Sequence, residues 1–429
     1  MELNMNALST RLQTQYLPGV EEILASNFLL EDNVKRAKDV QVQGNEFVFL
    51  THTGRNEGHG FRAEGEDLPE TGYQKYNQAK IPLFHYYHGG SITGQGLAAA
   101  KGPQAYVVEI KNELKRIMTD ALREFNIYNY GNQDGVRGTV LSVSGTTLTM
   151  AWSHDPAENG VNLLRRDMLV SIRDTASTAN RAAVAARIMS VNYSARTITL
   201  HPNTDMTGVV AGDLVYNTGD WDVLNGSKQA LGIRNAFDDG TEGALYLNMA
   251  RAGNNLVPEW QSIVLGDASA PVALTLAQLQ NLETLVNGNA PEPEQVRNNI
   301  YITSYGVRDS YFLNLVVNTE RKFVGNDKPL KYDAGFEGVD YNGKAWYCDR
   351  DCPRGYVFYL NSGKLRKAIL DDWDFLKDLQ GNGGILQLRD NKDVYKFMMR
   401  RYYSGVYTIS PRMNGVRKGV LDEGQSVIN

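Results

Sequence analysis

The chain has 429 residues, of which 42 % are hydrophobic and 22 % are charged, and its formal net charge is −5 at pH 7. A chain of this length forms about two or three domains and can bury a large core. The negative charge argues against a protein that holds nucleic acid over its whole surface, because that work needs clustered lysine and arginine. A local basic surface is expected over 394–421, which has no acid. We expect its charges to lie at a subunit interface or in solvent rather than to bind nucleic acid.

The cysteines and the amino terminus bear on the cellular compartment. Cys348 and Cys352 are too few and too close together for a disulfide framework, which favours a reducing compartment. The first residues lack the basic and apolar regions of a signal peptide, and no run of ~18 apolar residues could cross a bilayer. We therefore expect a protein that stays in a cytoplasm and has no membrane partner.

Residues 1–43 are predicted to form an amino-terminal arm. Pro18 opens a short helix with one apolar face, and a helix this short is marginal unless it docks on another surface. The residues expected to make that contact with a neighbouring subunit are Leu17, Ile23, Leu24 and Phe28.

Residues 44–91 are predicted to form a long two-stranded hairpin, with strands over 44–53 and 80–88. The connection over 54–72 has five glycines, five carboxylates and two arginines, with almost nothing apolar to pack. Loops beyond ~12–15 residues are usually functional or disordered, so this one is expected to lie on another copy of the chain. The expected contact residues are Arg55, Glu57, Arg62, Glu64, Glu66, Asp67, Glu70 and Lys75.

The longest helical pattern runs from about 103 to 128, inside a segment that spans 92–137. At 1.5 Å per residue the helix would measure roughly 35–40 Å. Apolar residues recur at helical spacing and predict a buried face that consists of Ile110, Leu114, Ile117, Met118, Leu122 and Phe125.

Residues 138–218 contain an internal repeat. The pattern of 140–150 recurs at 188–200, and that of 167–171 recurs at 213–216. Repeated hairpin-plus-strand units predict a small pseudo-twofold β-barrel inserted into the main fold. The alternative is two ordinary hairpins that share β-forming residues.

The remaining segments alternate between helix and strand patterns. Helices are predicted at 275–288, 308–318 and, as a short acidic helix, 368–376. Strands are predicted at 299–304, 343–348 and 357–360. The whole chain is therefore predicted to have a mixed α+β fold.

Two glycine-rich motifs point weakly to nucleotides. The motif at 94–99 matches part of a dinucleotide fingerprint, but the next helix is too long and no strand that ends in an acid follows. The motif at 338–345 has Ala345 where a phosphate loop needs serine or threonine, and Asn342-Gly343 is typical of a hairpin turn. We therefore reject the nucleotide interpretation.

Catalytic and metal-binding signals are also missing from the sequence. His85 and His88 would fall on opposite faces of a strand, which disfavours zinc. No nucleophile elbow, metalloprotease helix or Ser-His-Asp arrangement can be recognised. We expect no enzymatic activity, no cofactor and no metal site.

The order of the segments is more specific than any single motif. An arm precedes a hairpin, a strand and one long helix, and the sequences that mark this order are Arg62-Ala-Glu-Gly65, Leu68-Pro-Glu-Thr-Gly72, Ile92-Thr-Gly-Gln95, Gly335-Phe-Glu-Gly338, Tyr341-Asn-Gly343, Asp349 to Pro353 and Tyr402-Tyr-Ser-Gly-Val-Tyr407. The ordered set resembles the major capsid protein of tailed bacteriophages, the Hong Kong 97-type fold, across essentially the whole chain.

The resemblance implies a division of the chain into six parts. The axial domain would meet its copies at fivefold and sixfold centres, and the inserted barrel departs from the minimal fold. The parts are the N-terminal arm (1–43), an extended loop or E-loop laid on the neighbouring subunit (44–91), the spine helix and peripheral domain (92–137), the inserted β-barrel (138–218), the axial domain (219–326), and peripheral strands that return to the axial domain (327–429).

The resemblance also implies a function and partners. The chain would assemble with itself, as pentamers and hexamers, into an icosahedral shell around double-stranded DNA, held by weak non-specific contact. Assembly would take place in the host bacterial cytoplasm, and the product would be the virion. The other implied partners are a portal protein, a separate scaffolding protein and a decoration protein.

Three alternatives stay open at this stage. An encapsulin-like compartment or a gene-transfer-agent shell would share the fold, and a soluble nucleotide-using enzyme is the outside alternative. Some capsids of this family cross-link a loop lysine to an asparagine of a neighbour. Lys75 and Lys80 lie in the corresponding region, but no matching acid or acceptor can be recognised.

Overall fold

The computed structural model describes residues 29–37, 41–95, 103–151, 160–175, 180–181, 185–222, 226–252, 257–291, 296, 298–316, 339–376, 387–388 and 393–422. The predicted arm residues Leu17, Ile23, Leu24 and Phe28 lie outside these ranges. Among the described residues, no helix combines the length and the apolar character needed to cross a membrane.

The amino-terminal part contains the hairpin and the long helix. Its elements are α1 (Leu29–Asn33), β1 (Lys35–Arg36), β2 (Gln41–Gln43), β3 (Glu46–Gly54), β4 (Lys75–Pro82), β5 (His85–Thr93) and α2 (Pro103–Tyr130). The predicted long helix is confirmed: α2 has 28 residues and begins at a proline, a residue favoured in the first helical turn.

The middle part forms a closed six-stranded barrel whose strands follow the order β10-β7-β6-β11-β8-β9. Alternate residues such as Leu148, Ile172 and Ile198 point inward and are fully buried. The strands are β6 (Val136–Ser144), β7 (Thr147–Met150), β8 (Leu169–Arg173), β9 (Ala186–Asn192), β10 (Thr197–Leu200) and β11 (Leu214–Asn217).

The carboxyl-terminal part contains the remaining elements. They are β12 (Trp221–Asp222), β13 (Gly226–Ser227), α3 (Ile233–Ala236), β14 (Leu245–Tyr246), β15 (Met249–Ala250), a 3₁₀ turn (Pro258–Trp260), β16 (Ile263–Leu265), α4 (Leu276–Asn289), β17 (Asn299–Thr303), α5 (Tyr305–Val316), β18 (Val339–Tyr341), β19 (Lys344–Cys348), β20 (Val357–Asn361), β21 (Leu365–Phe375), β22 (Gln387–Leu388), β23 (Val394–Thr408), a second 3₁₀ turn (Pro411–Met413) and β24 (Gly415–Arg417).

Two mixed sheets carry most of the core. One has the order β16-β24-β20-β17-β19-β18, and α4 contributes Leu279, Leu282 and Val286 to the apolar cluster beside it. Thr275 caps that helix in a capping box with Gln278, which confirms the helix predicted at 275–288. The other sheet has the order β1-β21-β23-β22, and β5 also pairs with β23.

The return strand of the hairpin differs from the prediction. β4 pairs with β3 and ends at Pro82, whereas the predicted strand 80–88 is divided between β4 and β5. Proline has no backbone N–H to donate, so the ladder stops there. β5 then pairs antiparallel with β23 from His85 to Thr93.

The acidic helix predicted at 368–376 is wrong, because residues 368–375 belong to strand β21. β21 pairs with β23, and register shifts between Ala368 and Asp374 break the strict alternation that identifies a strand in a sequence. Its partner strand lies far along the chain, so the local pattern could not reveal the pairing. The helix predicted at 308–318 exists but begins three residues earlier, at Tyr305.

Three of the six basic residues in the predicted basic surface over 394–421 pair with acids from other segments. Arg401 contacts Glu31 and Asp372, and Arg400 contacts Asp371. Lys418 is buried and pairs with Glu242. We therefore correct the expectation: much of this segment's positive charge is used inside the subunit.

Glu31 lies at the centre of a buried ion network that holds α1 against the second sheet. Its carboxylate accepts from Arg401 Nη1 at 2.8 Å, lies 3.2 Å from Lys367 Nζ, and accepts from Asn129 Nδ2 at 3.2 Å. The guanidinium of Arg401 also lies 4.8 Å from the ring centre of Phe125. One carboxylate therefore compensates two buried cations and links α1, α2 and the sheet.

Glu31→Gln is expected to lower the free energy of unfolding by about 3–5 kcal/mol, because removing one partner of a buried ion pair leaves uncompensated charge. Denaturant unfolding of the subunit measures the loss. Glu46→Gln is the control, because Glu46 pairs with Lys80 at 3.2 Å with side chains 43 % and 36 % exposed. An exposed pair is worth less than about 1 kcal/mol, so equal losses in the two variants would contradict the network.

Candidate inter-subunit surfaces

The root of the hairpin is fixed in the main core. Phe47, Ala79 and Ile81 are buried there, and Phe49 stacks on Tyr407 with ring centres 5.2 Å apart. The backbone N–H of Lys80 donates to the carbonyl of Leu247 at 3.0 Å. These contacts set the direction in which the two strands leave the body of the subunit.

The distal part of the hairpin is exposed on all sides. Leu50 and Tyr76, on β3 and β4, are 66 % and 55 % exposed. All eight predicted contact residues of this loop are exposed, namely Arg55, Glu57, Arg62, Glu64, Glu66, Asp67, Glu70 and Lys75. The structure therefore places them where a second molecule could reach them.

The tip of the hairpin has a defined local structure. The N–H of Glu66 donates to the carbonyl of Ala63 at 3.2 Å, and Gly65 has φ +84°, as residue i+2 of a type II turn requires. The Glu66 carboxylate accepts from the N–H of Ala63, and Arg62 Nε donates to the carbonyl of Asp67 at 3.0 Å. Side chains of the tip thus close its own turn.

Sequence reasoning missed the apolar residues of the tip. Phe61 is fully exposed, and Leu68 and Tyr73 are 87 % and 75 % exposed. The segment 54–72 was interpreted from its charges and glycines alone. Large apolar residues in a loop that has no core of its own would have indicated a binding surface. Exposed apolar groups of this size are typical of a binding surface.

The predicted buried face of the long helix is described only in its second half. Ile117 and Phe125 are 7 % and 1 % exposed, whereas Met118 and Leu122 are half-buried. Phe125 packs edge-on against Trp373 and Tyr403 of the second sheet. The side chains of Ile110 and Leu114 lie outside the described part.

Glu124 of α2 joins the helix to the barrel. Its carboxylate accepts from Arg137 Nη2 at 2.8 Å and from Arg165 at its other oxygen. Arg137 is 2 % exposed and lies over the ring of Tyr128, 4.8 Å from its centre. Burial lowers the pKa of Arg165, yet guanidinium stays charged at neutral pH, so the joint is an ionic one.

Glu124→Gln is expected to cost about 3 kcal/mol or more, because Arg137 would keep its charge without a countercharge. We expect the loss to appear as a separate early transition of the barrel in thermal unfolding, with new proteolytic cleavage near 131–136. Asp167→Asn is the control, because Asp167 pairs with Arg187 on the surface. A single transition with unchanged stability would contradict this role of Glu124.

The segment that holds both cysteines forms a buried hydrogen-bond cluster. Asp349 accepts from the hydroxyl of Tyr130 at 2.9 Å and from Asn126 Nδ2 at 3.2 Å. Burial raises the pKa of Asp349 and of both thiols, Cys348 and Cys352, which keeps the thiols protonated and poor as ligands or nucleophiles. Within the described ranges, no cluster of three or more histidine, cysteine or acidic side chains could hold a metal.

The glycine motifs also have structural explanations where they are described. Asn342 and Gly343 have φ +50° and +72° and turn β18 into β19, as predicted from the sequence. Gly94 follows β5, and its N–H donates to the carbonyl of Asp393 at 2.9 Å. Residues 96–99, the rest of that motif, lie outside the described part.

A hairpin that projects from a fixed root, a long helix packed against the second sheet and a capped helix packed against the first sheet together define a capsid-type fold. A solved structure has the same fold, and the predicted resemblance to tailed-phage capsid proteins is confirmed at the level of the fold. A chain of the cyanophage A-1(L) capsid asymmetric unit is 14 % identical, with a TM-score of 0.52 over 96 % of this chain and 99 % of that chain.

Two further solved structures are similar over nearly the whole chain. The capsid of a native GTA particle is 10 % identical with a TM-score of 0.49, covering 96 % of this chain and 99 % of that one. The capsid of Myoviridae phage XM1 is 11 % identical with a TM-score of 0.44, covering 95 % and 98 %. No protein-family model matches the sequence, and no curated protein matches it.

Proposed function

We propose that this chain is the major capsid protein of a tailed phage and that it assembles into the icosahedral shell around a double-stranded DNA genome. The observation that carries the proposal is the hairpin over 46–82. Its root packs in the core through Phe47 and Ile81, while its tip presents Phe61, Leu68 and Tyr73 to solvent. The fold shared with the cyanophage A-1(L) capsid supports the same conclusion.

The geometry of the hairpin suits a closed shell. A ring of subunits needs heterologous contacts, in which each copy reaches its neighbour asymmetrically. Burying one large apolar side chain contributes about 1.5–3 kcal/mol, so a few tip residues give a modest contact for each pair of subunits. Many such contacts around a shell add up through multivalency.

We assign neighbour contacts to the E-loop and to the arm. In the E-loop, apolar Phe61, Leu68 and Tyr73 would be buried in the contact while the surrounding charges fix its register. The charged set is Arg55, Glu57, Arg62, Glu64, Glu66, Asp67, Glu70 and Lys75, and the arm set is Leu17, Ile23, Leu24 and Phe28.

We assign the parts of the chain as the resemblance implies. Residues 1–43 are the arm, 44–91 the E-loop, 92–137 the spine helix and peripheral domain, and 219–326 the axial domain. Residues 327–429 return through the peripheral strands. The barrel over 138–218 is an insertion into that fold, because its strands pair only among themselves in the described sheets.

The proposal includes partners beyond the chain itself. Pentamers and hexamers would assemble in the host bacterial cytoplasm with a portal protein and a separate scaffolding protein, and a decoration protein could bind the finished virion. The formal charge of −5 suits weak, non-specific contact with the packaged DNA. The protein would act as a structural component and not as an enzyme.

Expression of the full-length chain tests the proposal. We expect closed shells, capsomer rings or tubes in the high-mass size-exclusion fraction, visible by negative-stain electron microscopy. Nucleic acid in particles from infected or induced cells would support the phage shell, and a packaged enzyme would indicate an encapsulin-like compartment. A subunit that stays monomeric even with its scaffold would contradict the proposal.

A further inference from the structure

The barrel has an internal twofold symmetry in its strand pairing and in one pair of its register shifts. Strands β6, β7 and β8 correspond to β9, β10 and β11, and each pairs with the equivalent neighbours. The ladder β6–β7 shifts register between Val140 and Ser142, and the ladder β9–β10 shifts at the equivalent place, next to Ile188. The pseudo-twofold axis therefore passes between β7 and β10.

Four adjacent strands, β6-β7-β10-β9, present a continuous outer face of hydroxyl and amide side chains. Its two rows cross all four strands and exchange under the pseudo-twofold axis. We call this the hydroxyl face, and its rows are Ser142, Thr149, Thr197 and Asn192, and Ser144, Thr147, Thr199 and Ser190.

The hydroxyl face is open to solvent and almost free of charge. Its serines and Asn192 are exposed, its threonines are half-buried, and the intervening Leu148 and Ile198 point into the barrel. The whole chain is 22 % charged, yet 138–150 and 188–200 together contain one charged residue, Arg196. The register shifts expose Leu141 and Met189 at the rims, 52 % and 37 % exposed.

We propose that the hydroxyl face binds the same face of a second copy of this chain, across a twofold axis between neighbouring capsomers. Two identical surfaces bring identical charges together, so a self-contact favours an uncharged face. Because the two rows of the face are equivalent under the internal twofold symmetry, each row of one copy can meet an equivalent row of the second copy. Hydroxyl and amide groups can donate and accept, so the same residue type serves on both sides.

The size of the face limits where the contact can form. Four strands about 4.8 Å apart and two rows of residues cover roughly 250–300 Å². A stable dimer in solution buries about 800 Å² on each partner. The contact is therefore expected only within an assembled shell, where other contacts hold the two copies in place, so this inference rests on the proposed function.

Charge-swap variants test the contact. One variant has Ser142→Glu and Ser190→Glu, and the other has lysine at both positions. Both sites are exposed and equivalent under the pseudo-twofold axis. Each variant alone is expected to form shells at a yield at least roughly tenfold lower, because like charges meet across the axis, and an equal mixture is expected to restore the yield. Asn203→Glu, an exposed barrel residue outside the face, is the control.

The outcomes separate this inference from the proposed function. If the unaltered chain and Asn203→Glu form shells, the proposed function stands whatever the charge-swap variants do. Normal shells from the glutamate variant alone, or a mixture that stays defective, would overturn the self-contact. In the second case the face would bind a different protein. Thermal unfolding of each variant checks that the barrel itself is intact.

Discussion

A subunit in which residues 56–70 are replaced by a short turn is expected to fold normally and to form no closed shells. The replaced segment includes Phe61 and Leu68, which pack on nothing within the described subunit, so its loss costs the monomer little. The ends of the segment are already adjacent, because a Cβ on Gly58 would lie 2.6 Å from the carbonyl oxygen of Glu70. The change should therefore leave the root of the hairpin in place.

Electron microscopy measures whether this variant forms shells, and denaturant unfolding measures whether its subunit is folded. The full-length variant with Phe61→Ser and Leu68→Ser should show the same assembly defect, because it removes the apolar contact and keeps the loop. A control with Asn203→Glu should assemble. Intact shells from the shortened chain would contradict the role of the hairpin, and an unfolded product would show that the tip stabilises the subunit.

Gly405→Ala is expected to abolish folding or to lower the free energy of unfolding by more than about 5 kcal/mol, beyond the range of ordinary substitutions. Gly405 has φ +110°, a conformation that residues with a side chain rarely adopt. A Cβ there would lie 2.1 Å from the oxygen of Leu231 and 2.4 Å from its nitrogen. These atoms bond to the backbone of Ser404 and Val406, so neither side can withdraw cheaply.

Gly288→Ala provides a matched comparison for this second prediction. Gly288 lies on α4, is exposed, and has open space where a Cβ would be placed. Alanine there is expected to stabilise the protein by about 0.5–1 kcal/mol, because glycine weakens a helix. Soluble yield and denaturant unfolding show whether Gly405→Ala lowers the stability and whether Gly288→Ala raises it. Equal stabilities would show that β23 can move away from Leu231.

Local patterns in the sequence predicted those elements whose stability depends on their own residues. The long helix and α4 have regular apolar spacing, and the Asn342–Gly343 turn has the residue types that its backbone angles require. Strand β21 could not be predicted in this way. Its hydrogen-bond partner is the remote β23, and its register shifts hide the alternation.

The sequence predicted where the candidate surfaces lie, but not which types of side chain they expose. The hairpin was expected from its length and its glycines. Its charged residues are exposed, and their contact with a neighbouring subunit stays a prediction. The apolar contribution of Phe61, Leu68 and Tyr73 was missed. The basic segment 394–421 was misjudged for a different reason: its countercharges Glu31, Asp371 and Glu242 are distant in sequence and meet it only in the folded chain.

The path from the hairpin to β23 also has a mechanical consequence. β23 has 15 residues, spans roughly 50 Å, and pairs with β5 and β21 on its two sides. The hairpin root meets this strand near its carboxyl end, where Phe49 stacks on Tyr407. A pull from a neighbour along the strand direction would load many ladder hydrogen bonds at once, because these bonds lie perpendicular to antiparallel strands. Tension that enters at the tip of the hairpin would thus be spread across the sheet before it could open any single bond.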